Sequence, residues 1–163
     1  MRPHLVLPMA LLVFGAVSSA RSADSHALAS AWVASEYAQI RLISGVTGVG
    51  HGATIPLGVQ IKLSPEWKTY WRTPGETGIP PRFNWTASQN MQAAEVHWPG
   101  PHRYRSFGLD TIGYKHEVVF PVTAQVSSPG QSVTVSAVID YAVCRDICVP
   151  LQARLSLEIP EGT

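Results

Sequence analysis

The sequence predicts an all-β domain, an antiparallel β-sandwich, and three observations point there. Short runs of alternating apolar and polar residues recur along the chain, while no 3.6-residue periodicity persists beyond a turn or two. Thirteen prolines and thirteen glycines punctuate these runs and would break long helices wherever they fall. The chain is long enough to bury one core of its own, and neither an internal repeat nor a linker divides it.

The N-terminus is set apart from that domain. Arg2 and His4 precede the apolar run Leu5 to Val17, which ends in Ser18, Ser19 and Ala20. A charged start, an apolar centre and a small-residue exit make a secretory leader. The run is about 13 residues, short of the roughly 20 that a spanning helix needs. Residues 1–20 are therefore expected to be a signal peptide, cleaved after about Ala20. Residues 21–35, rich in Ala and Ser, are expected to form a flexible segment ahead of a domain over 36–163.

Within that domain the first strands fall at Gln39 to Ile43 and Leu57 to Leu63, both alternating. Further strands are expected at Lys68 to Arg72, Arg82 to Trp85, Ala94 to Trp98, Glu117 to Val126, Ser132 to Tyr141 and Ala153 to Ile159. This many short strands with frequent turn signals suits an immunoglobulin-like sandwich. Two Pro/Gly-rich stretches, Thr73 to Pro81 and Pro99 to Gly108, are expected to be loops. Pro150, lacking an amide proton, is expected to keep the stretch after Cys148 out of the ladder.

Composition excludes several functions. Losing Arg2 with the leader leaves 11 basic against 11 acidic side chains and no net charge. Nothing in that balance favours nucleic acid or an anionic membrane. A blue-copper site needs a His and usually a Met just downstream of its Cys, and neither follows Cys148. Structural zinc needs four ligands, which two cysteines and scattered histidines do not propose. Looser capture of a metal by the reduced thiols with His97, His102 or His116 stays open as an alternative. No cofactor, resident metal or small-molecule substrate is expected.

The chemistry concentrates in the only two cysteines, Cys144 and Cys148, with Arg145-Asp146-Ile147 between them. Export implies a compartment in which disulfides persist. A bridge this short adds only about 2 kcal/mol of chain-entropy stabilisation before strain is subtracted. Short loops also make the preferred disulfide geometry harder to reach, which eases reduction. A poor staple of this kind suits a redox switch. Expected strands on both sides put the pair at or near a strand-to-strand turn.

Asp140-Tyr141-Ala142-Val143-Cys144, followed by Cys148-Val149-Pro150, resembles the Tyr-x-x-Cys…Cys-x-Pro site of the N-terminal periplasmic domain of DsbD, the thiol:disulfide interchange protein. Trp67 to Pro81, and Trp98-Pro99 through Gly113-Tyr114 to Val119-Phe120-Pro121, look closer to its relative ScsB, associated with copper tolerance. The resemblance runs from about Trp32 to Pro160. It implies a periplasmic immunoglobulin-like domain, a protein-disulfide reductase component in enzymatic terms. Such a domain takes electrons from a membrane electron-carrier protein and reduces thioredoxin-fold clients. It implies Cys148 as the sulfur of mixed disulfides and Cys144 as the resolving one. It also implies a cap over the pair, mapping onto Phe107 and Gly108, and site walls at Trp71 and Tyr141. The gap between the cysteines is shorter than in the best-known DsbD domain. The family's membrane and thioredoxin-like modules do not follow within this sequence, so either they are met on separate chains or this is an excised or divergent domain. The alternative function is a non-catalytic periplasmic binding module whose disulfide is a staple, with a link to copper tolerance.

Overall fold

Alternation along the chain resolves into two antiparallel sheets packed face to face. A computed structural model describes residues 28–106 and 108–162. The expected leader with its cleavage site, the first part of the expected flexible segment, and Phe107 lie outside the described residues. The strands are β1 (Val33–Ala34), β2 (Ala38–Ser44), β3 (Thr54–Leu63), β4 (Lys68–Gly75), β5 (Arg82–Asn84), β6 (Met91–Val96), β7 (His102–Ser106), β8 (Leu109–Lys115), β9 (Glu117–Val126), β10 (Val133–Cys144) and β11 (Cys148–Ile159). One sheet orders β1, β2, β3, β9 and β6; the other orders β11, β10, β4, β8 and β7, with β5 also paired to β10. Every pairing between these strands is antiparallel, and no helix occurs among the described residues. The fold is the expected immunoglobulin-like β-sandwich.

Period-two burial explains why these residues make these strands. Ile40, Leu42, Val59, Ile61, Phe120 and Val122 face inward from the first sheet, and Val133, Val135, Ile139 and Ile159 face them from the second. Each such side chain contributes about 1.5–3 kcal/mol when taken fully out of water. An aromatic group centred on Phe120 fills the core beside Tyr114, Trp98 and Phe83, with ring centroids 5.4, 5.2 and 5.6 Å away.

Several expected boundaries move. Part of residues 28–35 is already paired with β2: Ala29 bridges to Ile43, Ser30 N–H donates to Leu42 O, and β1 lies along β2. The sandwich thus begins before residue 36. Pro99 to Gly108 is not all loop, since β7 runs through it and forms a hairpin with β8, which was likewise not expected as a strand. His102-Arg103-Tyr104-Arg105-Ser106 carries no apolar alternation, so its sequence lacks the usual strand signature. β4 continues through Pro74 to Gly75, with a register shift against β8 between Tyr70 and Gly75. Pro150 does not interrupt the ladder. It lies on β11, an edge strand, and pairs with Ala142 of β10, so a missing amide proton costs no inter-strand bond on the open side.

Candidate functional site

The longest ladder in the molecule delivers the two cysteines to each other. β10 and β11 pair without a break from Val133↔Ile159 to Cys144↔Cys148. Residues directly opposite in an antiparallel pair share a face, so the register alone aims both sulfurs the same way. They form a disulfide with a Cα–Cα distance of 4.1 Å. Arg145-Asp146-Ile147 closes the turn, with Arg145 N–H donating to Ile147 O at 3.1 Å.

The two sulfurs occupy unequal environments. Cys144 is 2% exposed, whereas Cys148 is exposed. Alternation along β10 separates Val135, Ala137, Ile139, Tyr141 and Val143, which face the core, from Ala142 and Cys144 on the opposite face. That outer face is covered from β4. Thr69 Oγ1 donates to Ala142 O at 3.0 Å and pins β4 to β10. One residue on, the Tyr70 hydroxyl lies 3.6 Å from Cys148 Sγ. A disulfide sulfur carries no proton, so the phenol is the donor. Burial raises the Tyr70 pKa and keeps it protonated. The loop after β4 folds onto this tyrosine, because a Cβ at Gly78 would lie 2.4 Å from Cε1 of its ring.

Of the residues expected at the site, the structure brings Cys144 and Cys148 together and sets others apart. Trp71 and Tyr141 pack with the core-facing set, on the other side of the sheet from the sulfurs. They back the site instead of walling it, because one residue along a strand reverses the face. Burial pushes the Tyr141 pKa up to about 12. The wall on the sulfur side is Tyr70, which sequence reasoning passed over for its neighbour Trp71. Counting alternate positions from Trp67 through Trp71 was the signal for it. Gly108 has φ +82° in the two-residue link between Ser106 and Leu109, at the far end of β8 from Lys115. Lys68, also overlooked, pairs directly with Cys144.

Around the turn the charges are solvated. Arg145 and Asp146 form an exposed ion pair at 3.0 Å, and the Arg145 guanidinium lies 5.6 Å from the Trp67 ring centroid. Exposed pairs of this sort add little to stability. Ile147, between the cysteines, is 66% exposed and presents an apolar side chain beside the disulfide. Among the described residues no three His, Cys, Asp or Glu side chains gather as a metal site.

Comparison with known proteins agrees with this geometry. The family described as thiol:disulfide interchange protein DsbD, N-terminal, matches residues 46–160. The crystal structure of the N-terminal periplasmic domain of ScsB from Proteus mirabilis is 31% identical, with a TM-score of 0.68 over 82% of this chain and 52% of that one. The chain thus spans about half the length of that ScsB domain. The reduced DsbD N-terminal domain of Neisseria meningitidis is 12% identical, with a TM-score of 0.41 over 76% of this chain and 86% of that one. No curated protein matches the sequence. With most of its length matched and its only two cysteines closed as a disulfide at the end of one hairpin, the chain belongs to the family of DsbD N-terminal domains.

Proposed function

We propose that this protein is a periplasmic thiol–disulfide exchange domain, passing reducing equivalents from a membrane-embedded electron carrier to thioredoxin-fold clients. The observation that carries the proposal is the inequality of the sulfurs: Cys148 is exposed and Cys144 is 2% exposed. A donor thiolate attacks Cys148 Sγ, the bond to Cys144 breaks, and its electron pair stays on Cys144. A second donor thiolate then releases Cys148, leaving the domain reduced and the donor as a disulfide. Toward a client the steps reverse: Cys148 attacks the client disulfide, and Cys144 resolves the mixed disulfide. The periplasmic setting is supported by the expected leader and by the ScsB match, itself a periplasmic domain.

Phe107, with Gly108, enters the same proposal as a cover that excludes small thiols and swings aside for a protein partner; since the β7–β8 link starts at the far end of β8, this cover has to reach back along the outer face of the sheet to the sulfurs. One rate comparison tests both parts. Reduced thioredoxin is expected to reduce the folded protein on the order of a hundredfold faster than glutathione at equal thiol concentration. Phe107→Ala is expected to narrow that gap by raising the glutathione rate several-fold, with the melting temperature little changed. Equal wild-type rates for the two reductants sink exchange with thioredoxin-fold proteins. An unchanged glutathione rate with a large loss of stability makes Phe107 an ordinary packing residue.

A further inference from the structure

The register of β4 sets Lys68 between two neighbours, Cys144 of β10 on one side and Lys115 of β8 on the other. Directly paired residues share a face with their Cβ atoms about 4.5–5.5 Å apart. The Lys68 side chain therefore leaves the sheet on the same side as the buried sulfur. Lys68 is 6% exposed, and its ammonium makes no hydrogen bond or ion pair among the described residues.

The surrounding groups offer it no anion. From β8, Lys115 faces it, paired to Glu66 at 3.6 Å and lying 5.3 Å from the centroid of the Tyr104 ring of β7. From β4 itself comes Tyr70, and burial raises the pKa of both Tyr70 and Tyr104, so both stay neutral. At the turn, Asp146 is committed to Arg145. Burial, with Lys115 adding to it, lowers the Lys68 pKa. The apolar stem of Lys68 is covered while its ammonium keeps contact with solvent, and an ammonium so shielded favours an anion placed beside it. The one group directly opposite that acquires negative charge is the Cys144 sulfur, once the disulfide opens.

We infer that Lys68 is the counter-charge of Cys144, stabilising the thiolate that Cys144 becomes when the disulfide is reduced and from which it resolves a client. The inference rests on the exchange function proposed above. In the reducing half-reaction the pair of the broken S–S bond resides on Cys144 Sγ, opposite Lys68. In the delivering half-reaction that thiolate attacks Cys148 Sγ in the mixed disulfide, and the client sulfur leaves with the electron pair. Two electrons enter from a dithiol donor, which becomes a disulfide, and two leave to a client disulfide, which becomes a dithiol. Burial by itself would hold the Cys144 thiol protonated; the lysine opposes that.

The test is a pH titration of thiolate absorbance in Cys148→Ala, where Cys144 is the remaining thiol. Adding Lys68→Met should raise the midpoint by about one pH unit or more, a tenfold or greater loss of thiolate below the midpoint. Lys68→Arg should restore most of it, and in Cys144→Ala the Cys148 midpoint should move far less. An unmoved Cys144 midpoint in a variant with native melting overturns the inference, as does an equal shift at both cysteines. Should Lys68→Met lose its native melting transition, Lys68→Gln carries the same comparison. The titration needs no partner, so a wild-type protein inert to thioredoxin would remove the exchange function and leave the Lys68–Cys144 coupling measured separately.

Discussion

Cys144→Ala is expected to accumulate a mixed disulfide with a thioredoxin-fold partner, and Cys148→Ala to accumulate on the order of tenfold less. The difference follows from where the hairpin leaves each sulfur. Removing Cys144 leaves Cys148 exposed beside Ile147, able to attack a partner disulfide with nothing behind it to resolve the product. Removing Cys148 leaves Cys144 at 2% exposure, with β4 paired alongside it. Non-reducing gels of each variant mixed with the oxidised partner measure the two yields. Reversed yields would mean that the buried sulfur is the exchanging one, and that burial in the resting fold does not decide the roles.

Gly78→Ala is expected to disrupt the wall of the site. Gly78 has φ +130°, a region that side-chain-bearing residues rarely enter. Its added Cβ would meet the Tyr70 ring at 2.4 and 2.5 Å. Backbone strain of about 1–3 kcal/mol and overpacking of about 1–3 kcal/mol together predict a loss of about 2–6 kcal/mol. The ring would relieve the clash by moving, which also takes its hydroxyl from Cys148 Sγ. Gly100→Ala, where an added Cβ meets nothing within 4 Å, is the matched control and should leave stability nearly unchanged. Denaturant melts of the three proteins decide it. Equal midpoints for Gly78→Ala and wild type would show that the loop after β4 yields freely and does not hold Tyr70.

Much of this arrangement is legible in the sequence where burial follows a period of two. β9 has the expected bounds, Glu117–Val126, because its alternation is unbroken and its buried residues are apolar throughout. β2 and β3 extend past their alternating centres by a few residues for the same reason. β7 and β8 escape such inspection because they are held differently. β7 carries two arginines and a histidine, and β8 contains Gly113, whose missing side chain lets β4 approach: a Cβ there would lie 2.0 Å from Thr69 O. The cysteine pair is legible because the chain has no others. Its surroundings are not, since they depend on which face of β4 meets β10, and Thr69 to Ala142 is a contact across 73 positions. A one-residue choice between Tyr70 and Trp71 turns on that face. Lys68 reads in sequence as an ordinary surface lysine until the register sets it opposite Cys144.

The central claim is that the Cys144–Cys148 bridge opens and closes in the folded domain. Equilibrating the purified protein in graded glutathione and thioredoxin redox buffers, with the bridge followed by thiol trapping and the fold by melting, tests it most directly. The account predicts a potential above about −300 mV, the level below which structural disulfides typically lie, and a reduced protein that keeps a cooperative melting transition. A bridge that these buffers cannot open until the domain unfolds would contradict it, and would leave a β-sandwich binding module stapled at one hairpin.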